Sequence, residues 1–169
     1  MACKRSGVRV SLAPPKLFFI KRLLHGSLFI CYDYQMKIFC AYAFTGEDID
    51  VITKRMRLVV DTLNANGHEA YCNRFDPIVD DIQKTDDINS IFKRAFEVLE
   101  QNEALVAIVS SPNKSVGQIM EIGVAMSQGK PVYLFEHTSA KGSTYLPKLA
   151  TKSYMWTTEK DLENALKNI

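Results

Sequence analysis

The sequence predicts an α/β fold, a parallel sheet of about five strands with helices on both faces, and three observations predict it. From Lys37 onward, strand-like and helix-like stretches alternate, as in strands joined by crossover helices. The run ALVAIVSS at 104–111 is continuously apolar, as expected for a strand buried on both faces of a parallel sheet. The length of 169 residues suits one domain with a sizeable core.

The elements follow in order from residue 37. KIFCAYAF at 37–44 is predicted as the first strand, and apolar residues at helical spacing predict a helix that ends at Asn66-Gly67. HEAYC at 68–72 is predicted as the second strand, and the polar stretch 73–87 as a loop able to cover a site. The later elements are predicted as a helix from Ile88 to Leu99, the strand 104–111, a helix over 115–128, a strand over 131–137, a loop over 138–148, an edge strand over 151–156 and a helix over 158–169.

The charge of the chain is unevenly distributed. The net charge is +2, but residues 1–35 carry six Lys and Arg against one acid, which leaves 36–169 slightly acidic. The apolar runs in 1–35 are interrupted by Lys21 and Arg22, so neither approaches the roughly 20 residues that span a bilayer. Met36 directly precedes the first strand. We therefore predict that residues 1–35 are a non-native or disordered basic extension, that 36–169 form the domain, and that neither nucleic acid nor membrane is a partner.

The cysteines favour a reducing compartment. Cys3, Cys31, Cys40 and Cys72 form no CxxC pair and no zinc-ligand spacing, and the three histidines form no ligand pattern. Buried, reduced thiols in a cytoplasmic protein without a metal are the expected state.

The candidate site lies where the parallel strands end, because ligands of open parallel sheets bind beyond the carboxyl ends of the strands. Tyr42 and Phe44 close the first strand and are assigned to substrate binding. Ser115 begins the helix after the central strand, where its hydroxyl either binds phosphate or caps the helix. The backbone amides of Val116 and Gly117 point from that helix start toward any bound anion, and Gly117 permits close approach.

Glu121 lies one turn further along the same helix. Its neighbours Ile119, Met120, Ile122 and Val124 are apolar. An acid in this setting is paired, placed at a cleft or functional. The alternative is an exposed position on an amphipathic helix.

The string SVGQIMEIGVAMSQGKPVYLF at 115–135, and more loosely KIFCAYAF, resembles the nucleoside 2-deoxyribosyltransferase superfamily, closest in motif to its 2'-deoxynucleoside 5'-monophosphate N-hydrolases. The resemblance covers residues 37–157. It implies a flavodoxin-like (Rossmann-type) fold, no cofactor, a homodimer and a small-molecule nucleotide or nucleoside as substrate. It also implies that Glu121 is the nucleophile of a retaining N-glycosidase or deoxyribosyltransferase.

The same resemblance bears on the phosphate. The nucleotide hydrolases carry a serine at the position of Ser115, where the transferases usually carry an aspartate, so a phosphorylated substrate is favoured. A second serine reaches the phosphate from the neighbouring subunit in those hydrolases, and its counterpart here is Ser143.

The chain departs from the family pattern at three places. The family's tyrosine on the first strand falls at Ile38, with Tyr42 as a substitute, and its aspartate on the helix before the central strand falls near Ala95. Asn113 and Lys114 are additional, and Lys114 either contacts phosphate or is solvated. The alternative function is therefore a catalytically silent nucleotide-binding or nucleotide-sensing relative. A response-regulator receiver is excluded, because no acidic pair directly follows the first strand, where Thr45 and Gly46 stand instead.

Overall fold

The computed structural model describes residues 20–22, 28–30, 35–84 and 87–169, the first two ranges by backbone only. It divides into two units, Met1–Gln35 and Met36–Ile169. In the first unit, strand β1 (Ile20–Arg22) pairs antiparallel with β2 (Leu28–Ile30). The remaining residues of 1–34, on which the prediction of a non-native or disordered extension falls, lie outside the described residues.

The second unit is built on one parallel sheet of five strands. Its spatial order is β4-β3-β5-β6-β7, so the first strand of the unit lies between the second and the third. This is the flavodoxin-like order, and the predicted fold class is confirmed. The strands are β3 (Lys37–Tyr42), β4 (Glu69–Tyr71), β5 (Ala104–Val109), β6 (Val132–His137) and β7 (Lys152–Trp156).

Helices cover both faces of the sheet. On one face, α1 (Ile49–Ala65) and α6 (Glu159–Leu166) bury Ile52, Met56, Leu162 and similar residues against the sheet. On the other, α3 (Ile88–Gln101) and α4 (Val116–Ser127) bury another apolar layer that includes Leu99 and Ile122. All six residues of β5 are buried, which confirms its predicted central position. Among the described residues, no helix is long and apolar enough to cross a membrane.

Two predicted loops contain helices. The stretch 73–87 folds as a short 3-10 helix (Asn73–Phe75) followed by α2 (Pro77–Gln83). Asp76 caps α2 through its side chain and Pro77 occupies the first helical position, a start that the polar composition concealed. The stretch 138–148 contains a 3-10 helix (Thr138–Ala140), and the short α5 (Leu146–Leu149) begins within it. The prediction of structureless loops was wrong at both places.

Candidate active site at the carboxyl edge of the sheet

Helix α4 is fastened to the carboxyl ends of the two central strands. The side-chain Nε2 of Gln118 donates hydrogen bonds to the carbonyl oxygens of Ala41 in β3, at 3.3 Å, and of Ile108 in β5, at 2.8 Å. Gln118 is buried, so these bonds form in a water-poor setting where an unmade bond is costly. They fix the first turns of α4, and therefore Glu121, relative to the sheet edge.

Ser115 caps α4. Its side-chain oxygen accepts a long hydrogen bond of 3.5 Å from the backbone N–H of Gln118, and the residue is buried. The amides of Val116 and Gly117 make no hydrogen bond with another described residue, as expected in a first helical turn. The side chain of Val116 is 68 % exposed. Three polar groups, one hydroxyl and two amides, therefore stand at this helix start.

Glu121 is buried rather than exposed, which removes the amphipathic-surface alternative. Only 8 % of its surface is accessible, and burial raises the pKa of its carboxyl from 4.5 to about 8. No positively charged side chain offsets this effect within the described residues. A buried carboxyl without a cationic partner costs stability, so its retention is typical of a functional acid.

Asn73 is the neighbour that the sequence reasoning missed. Its Nδ2 lies 3.4 Å from Oε1 of Glu121, and it is the only described side chain that donates a hydrogen bond to that carboxyl. Its other amide atom, Oδ1, is buried and has no partner among the described residues. The one available clue was its position directly after the predicted second strand, at the ligand-binding edge.

Tyr42 is close enough to Glu121 for the two groups to interact electrostatically. Burial is the main cause that raises the pKa of its phenol, and the charges of Cys72 and Glu121 add to it. Cys72 itself has its pKa raised to about 12, mainly by burial. Tyr42 therefore presents a neutral hydroxyl in the site. Ile38 is fully buried at the opposite, amino end of β3, so Tyr42 occupies the end of the strand that faces the site.

The other predicted binding residues lie at the periphery. Phe44 follows β3 and is 58 % exposed. Ser143 follows β6, and its hydroxyl is buried with no partner among the described residues. No contact in the described part of the chain joins Phe44 or Ser143 to Glu121. Lys114 is exposed, whereas Asn113 packs against Gly46, whose positive φ of +79° allows the loop after β3 to pass close by.

Two ion pairs brace the loops of this edge. Glu47, after β3, pairs with Arg55 of α1 at 2.7 Å and accepts a hydrogen bond from the Ser110 hydroxyl at the end of β5. Asp76, after β4, accepts hydrogen bonds from the Tyr71 hydroxyl and from Arg94 of α3. Each carboxylate is therefore held in place by a guanidinium.

The family aspartate has no replacement at its own position. Ala95 is buried in the layer under α3, where it packs with Leu99. The buried acid Asp76, which contacts the same helix through Arg94, is already engaged by Arg94 and Tyr71. Among the residues that the structure describes, no group of three metal-ligating side chains occurs.

The sequence and the fold of the chain were compared with those of known proteins. The sequence model of the nucleoside 2-deoxyribosyltransferase family matches residues 40–161. No curated protein sequence compared with the chain matches it.

Solved structures with a similar fold include two enzymes. The CMP N-glycosidase BcmB of Clostridium botulinum shares 20 % identity and a TM-score of 0.54, over 79 % of this chain and 99 % of its own. A 2-deoxyribosyltransferase of Bacillus psychrosaccharolyticus shares 19 % identity and a TM-score of 0.52, over 76 % of this chain and 90 % of its own. At these identities the likeness establishes the fold.

Proposed function

Because the chain belongs to the nucleoside 2-deoxyribosyltransferase family, we propose that it cleaves or transfers at the N-glycosidic bond of a nucleoside 5'-monophosphate or nucleoside, with Glu121 as the nucleophile. The observation that carries this proposal is the Glu121 carboxyl, which is buried at the carboxyl edge of the sheet and is not paired with any cation of the described residues. Ligands of parallel sheets bind at this edge.

The reaction proceeds in two balanced steps. The Glu121 carboxylate attacks the anomeric carbon, the C–N bond breaks, and the base leaves with the bonding electron pair and takes up a proton. Water, or a second base, then attacks the same carbon and loses a proton, and the ester bond to Glu121 breaks. Because attack requires the ionised carboxylate, the rate for the free enzyme should rise with pH toward the Glu121 pKa of about 8.

The phosphate of the substrate is assigned to the start of α4. Ser115 and the amides of Val116 and Gly117, which bond to no other described residue, provide three donors where the helix dipole favours an anion. Ser143, whose buried hydroxyl has no partner within the described part of the chain, is the proposed second phosphate contact, from a neighbouring subunit. Tyr42 and Phe44 are assigned to the sugar and base.

A homodimer and a cytoplasmic location complete the proposal. One exposed face of α4 carries Val116, Ile119, Met120 and Met126, an apolar stripe that a second copy would cover. The free, buried thiols of Cys40 and Cys72 suit a reducing compartment. Sedimentation at micromolar concentration should show a dimer, and an active monomer would contradict the subunit-shared site.

The decisive experiment is incubation with matched nucleosides and 5'-monophosphates, monitored for free base. Base release is expected, with a glycosyl adduct on Glu121 detected by mass spectrometry when a slow substrate is used. Monophosphates should be preferred, and Ser115→Asp should weaken or invert that preference through like-charge repulsion. If wild type and Ser115→Asp both use monophosphates and nucleosides with a ratio of kcat/KM near one, Ser115 is a helix cap only.

The alternative is a silent nucleotide-binding relative, and Ala95 in place of the family acid is the observation that favours it. Tight binding of monophosphates without any base release, under conditions where the carboxylate is ionised, would select this alternative.

A further inference from the structure

We infer that Asn73 reads the 2'-hydroxyl of the substrate's sugar, so that the chain prefers ribonucleotides to 2'-deoxyribonucleotides; this inference rests on the proposed function. The inference depends on the two atoms of the Asn73 side-chain amide, of which one is hydrogen-bonded within the described residues and the other is not. Its Nδ2 donates to Glu121 Oε1 at 3.4 Å, while its buried Oδ1 has no partner among the described residues.

An unpartnered, buried acceptor next to a nucleophile is unusual. Buried polar atoms are nearly always hydrogen-bonded, and leaving one without a partner costs free energy. Nothing in the described protein satisfies Asn73 Oδ1, although the adjacent Nδ2 is engaged. A ligand that supplies a donor at this point would complete the set of hydrogen bonds. The chemistry required of the ligand is therefore an O–H or N–H group close to the atom that Glu121 attacks.

The stereochemistry of the substrate places such a donor there. In a β-nucleoside the base projects from one face of the sugar, and a nucleophile displacing it in line approaches from the opposite face. The 2'-hydroxyl of ribose projects from that same opposite face, on the carbon next to the anomeric carbon. The Glu121 carboxylate and the 2'-hydroxyl therefore meet on one side of the ring, where Asn73 lies beside Glu121.

The local structure around Asn73 holds its side chain in a defined position for recognising a hydroxyl group. It is the first residue of the 3-10 helix that follows β4, and its neighbour Arg74 is anchored to Thr53 of α1 by a 2.9 Å hydrogen bond. A site built to bond a hydroxyl rejects an analogue that lacks it, because its own polar atom then stays unpaired. A 2'-deoxy substrate leaves Asn73 Oδ1 in that unpaired state.

The test compares matched ribo- and 2'-deoxyribonucleoside 5'-monophosphates of each base. Wild type should favour the ribonucleotide by about tenfold in kcat/KM, the value of one buried hydrogen bond. Asn73→Ala should bring the ratio near one, chiefly by slowing the ribonucleotide. Asn73→Asp keeps an acceptor and the side-chain shape, so it should keep the ribonucleotide preference while overall turnover falls. Asn164→Ala, on the exposed face of α6, is the control and should match wild type.

The pH profile separates this role from a purely structural one. Tyr42 from β3 and Cys72 after β4 interact electrostatically with Glu121, and both stay neutral near pH 8. Charged groups that act on these two residues are Arg74, Asp80 and Arg57. Losing the Asn73 donor should move the midpoint of the kcat/KM profile to higher pH, and Asn73→Asp should move it further. Asn164→Ala should leave it in place.

The outcomes distinguish this inference from the proposed function. If wild type releases no base from any compound, the proposed function fails, and the ratio of dissociation constants for the same nucleotide pairs replaces the kinetic ratio. A wild-type preference for the deoxy compound, a ratio that Asn73→Ala does not change, or a ratio that follows the base rather than the sugar overturns the inference. Absence of any nucleotide binding overturns it as well.

Discussion

Two buried carboxyls near the same edge of the sheet have pKa values that are shifted in opposite directions. Asp76 and Glu121 are similarly inaccessible, at 6 % and 8 % exposure. Burial acts to raise the pKa of Asp76, but hydrogen bonds from Tyr71, the Ile78 N–H and Arg94 outweigh it, and its pKa is lowered. Glu121 has one long hydrogen bond from Asn73, and burial raises its pKa to about 8.

The difference is that hydrogen bonds and an ion pair stabilise the charge of Asp76, whereas the charge of Glu121 has no comparable stabilisation among the described residues. Asp76 ties β4, α2 and α3 together, so its charge is stabilised by the same contacts that hold these elements in place. The fold supplies Glu121 with almost no stabilisation for its charge. A carboxylate that is poorly stabilised in the free protein is more reactive toward an electrophilic carbon. The contrast between the two acids is therefore open to test.

Neutralising each acid in turn should have very different effects on base release. Glu121→Gln should lower the rate by about a thousandfold or more, because the amide is nearly isosteric but cannot attack as a carboxylate. Asp76→Asn should cost less than about tenfold, because that acid supports the site only through the fold. Both rates are measured with the same nucleotide. Full activity of the Glu121→Gln variant would show that Glu121 is not the nucleophile. The proposed functional difference between Glu121 and Asp76 would then also be wrong.

The stability of Glu121→Gln should depend on pH in a defined direction. Below about pH 4.5 the carboxyl is protonated in both the folded and the unfolded wild type, and the two proteins should be similar. Between pH 4.5 and 8 the unfolded chain ionises while the folded one stays protonated, so wild type loses stability as pH rises. The variant should therefore become more stable than wild type by up to about 5 kcal/mol above pH 8.

Denaturant unfolding at several pH values measures this difference. A gap that does not vary between pH 4 and 9 would show that the Glu121 carboxyl is solvated in the folded protein, contrary to its burial.

Asp76→Asn should show the reverse pattern. At neutral pH it should destabilise the protein by about 1–3 kcal/mol, since Tyr71 and Arg94 lose a charged partner. The folded pKa of Asp76 is lowered, so the wild-type advantage should shrink as pH falls below the ordinary value of 3.8 and through the folded pKa. Asp48→Asn is the control, because asparagine caps helix α1 as well as aspartate does. A larger loss in the control than in Asp76→Asn would contradict this assignment.

The sequence predicted the layout of the site better than its local contacts. The central position of β5 and the burial of Leu162 and Leu166 on one side of α6 follow from apolar patterns that a strand or helix must bury. Asn73 and Asp76 lay in a stretch assigned as loop, because a short helix that begins Asp-Pro in polar sequence has little periodicity to detect. Their partners, Glu121 and Arg94, are 48 and 18 residues away, and no local pattern encodes such pairs.

Asp76, Glu121 and their contacts all belong to the unit Met36–Ile169, so removing residues 1–35 should have the smallest effect. No apolar pattern of the predicted core uses residues 1–35, so a chain that begins at Met36 should fold and melt within about 2 °C of the full chain. The pH dependence of its unfolding should still show a carboxyl that titrates near 8, and its base release should match the full chain. A loss of several degrees, or a shift in that titration, would show that residues 1–35 contribute to the environment of Glu121.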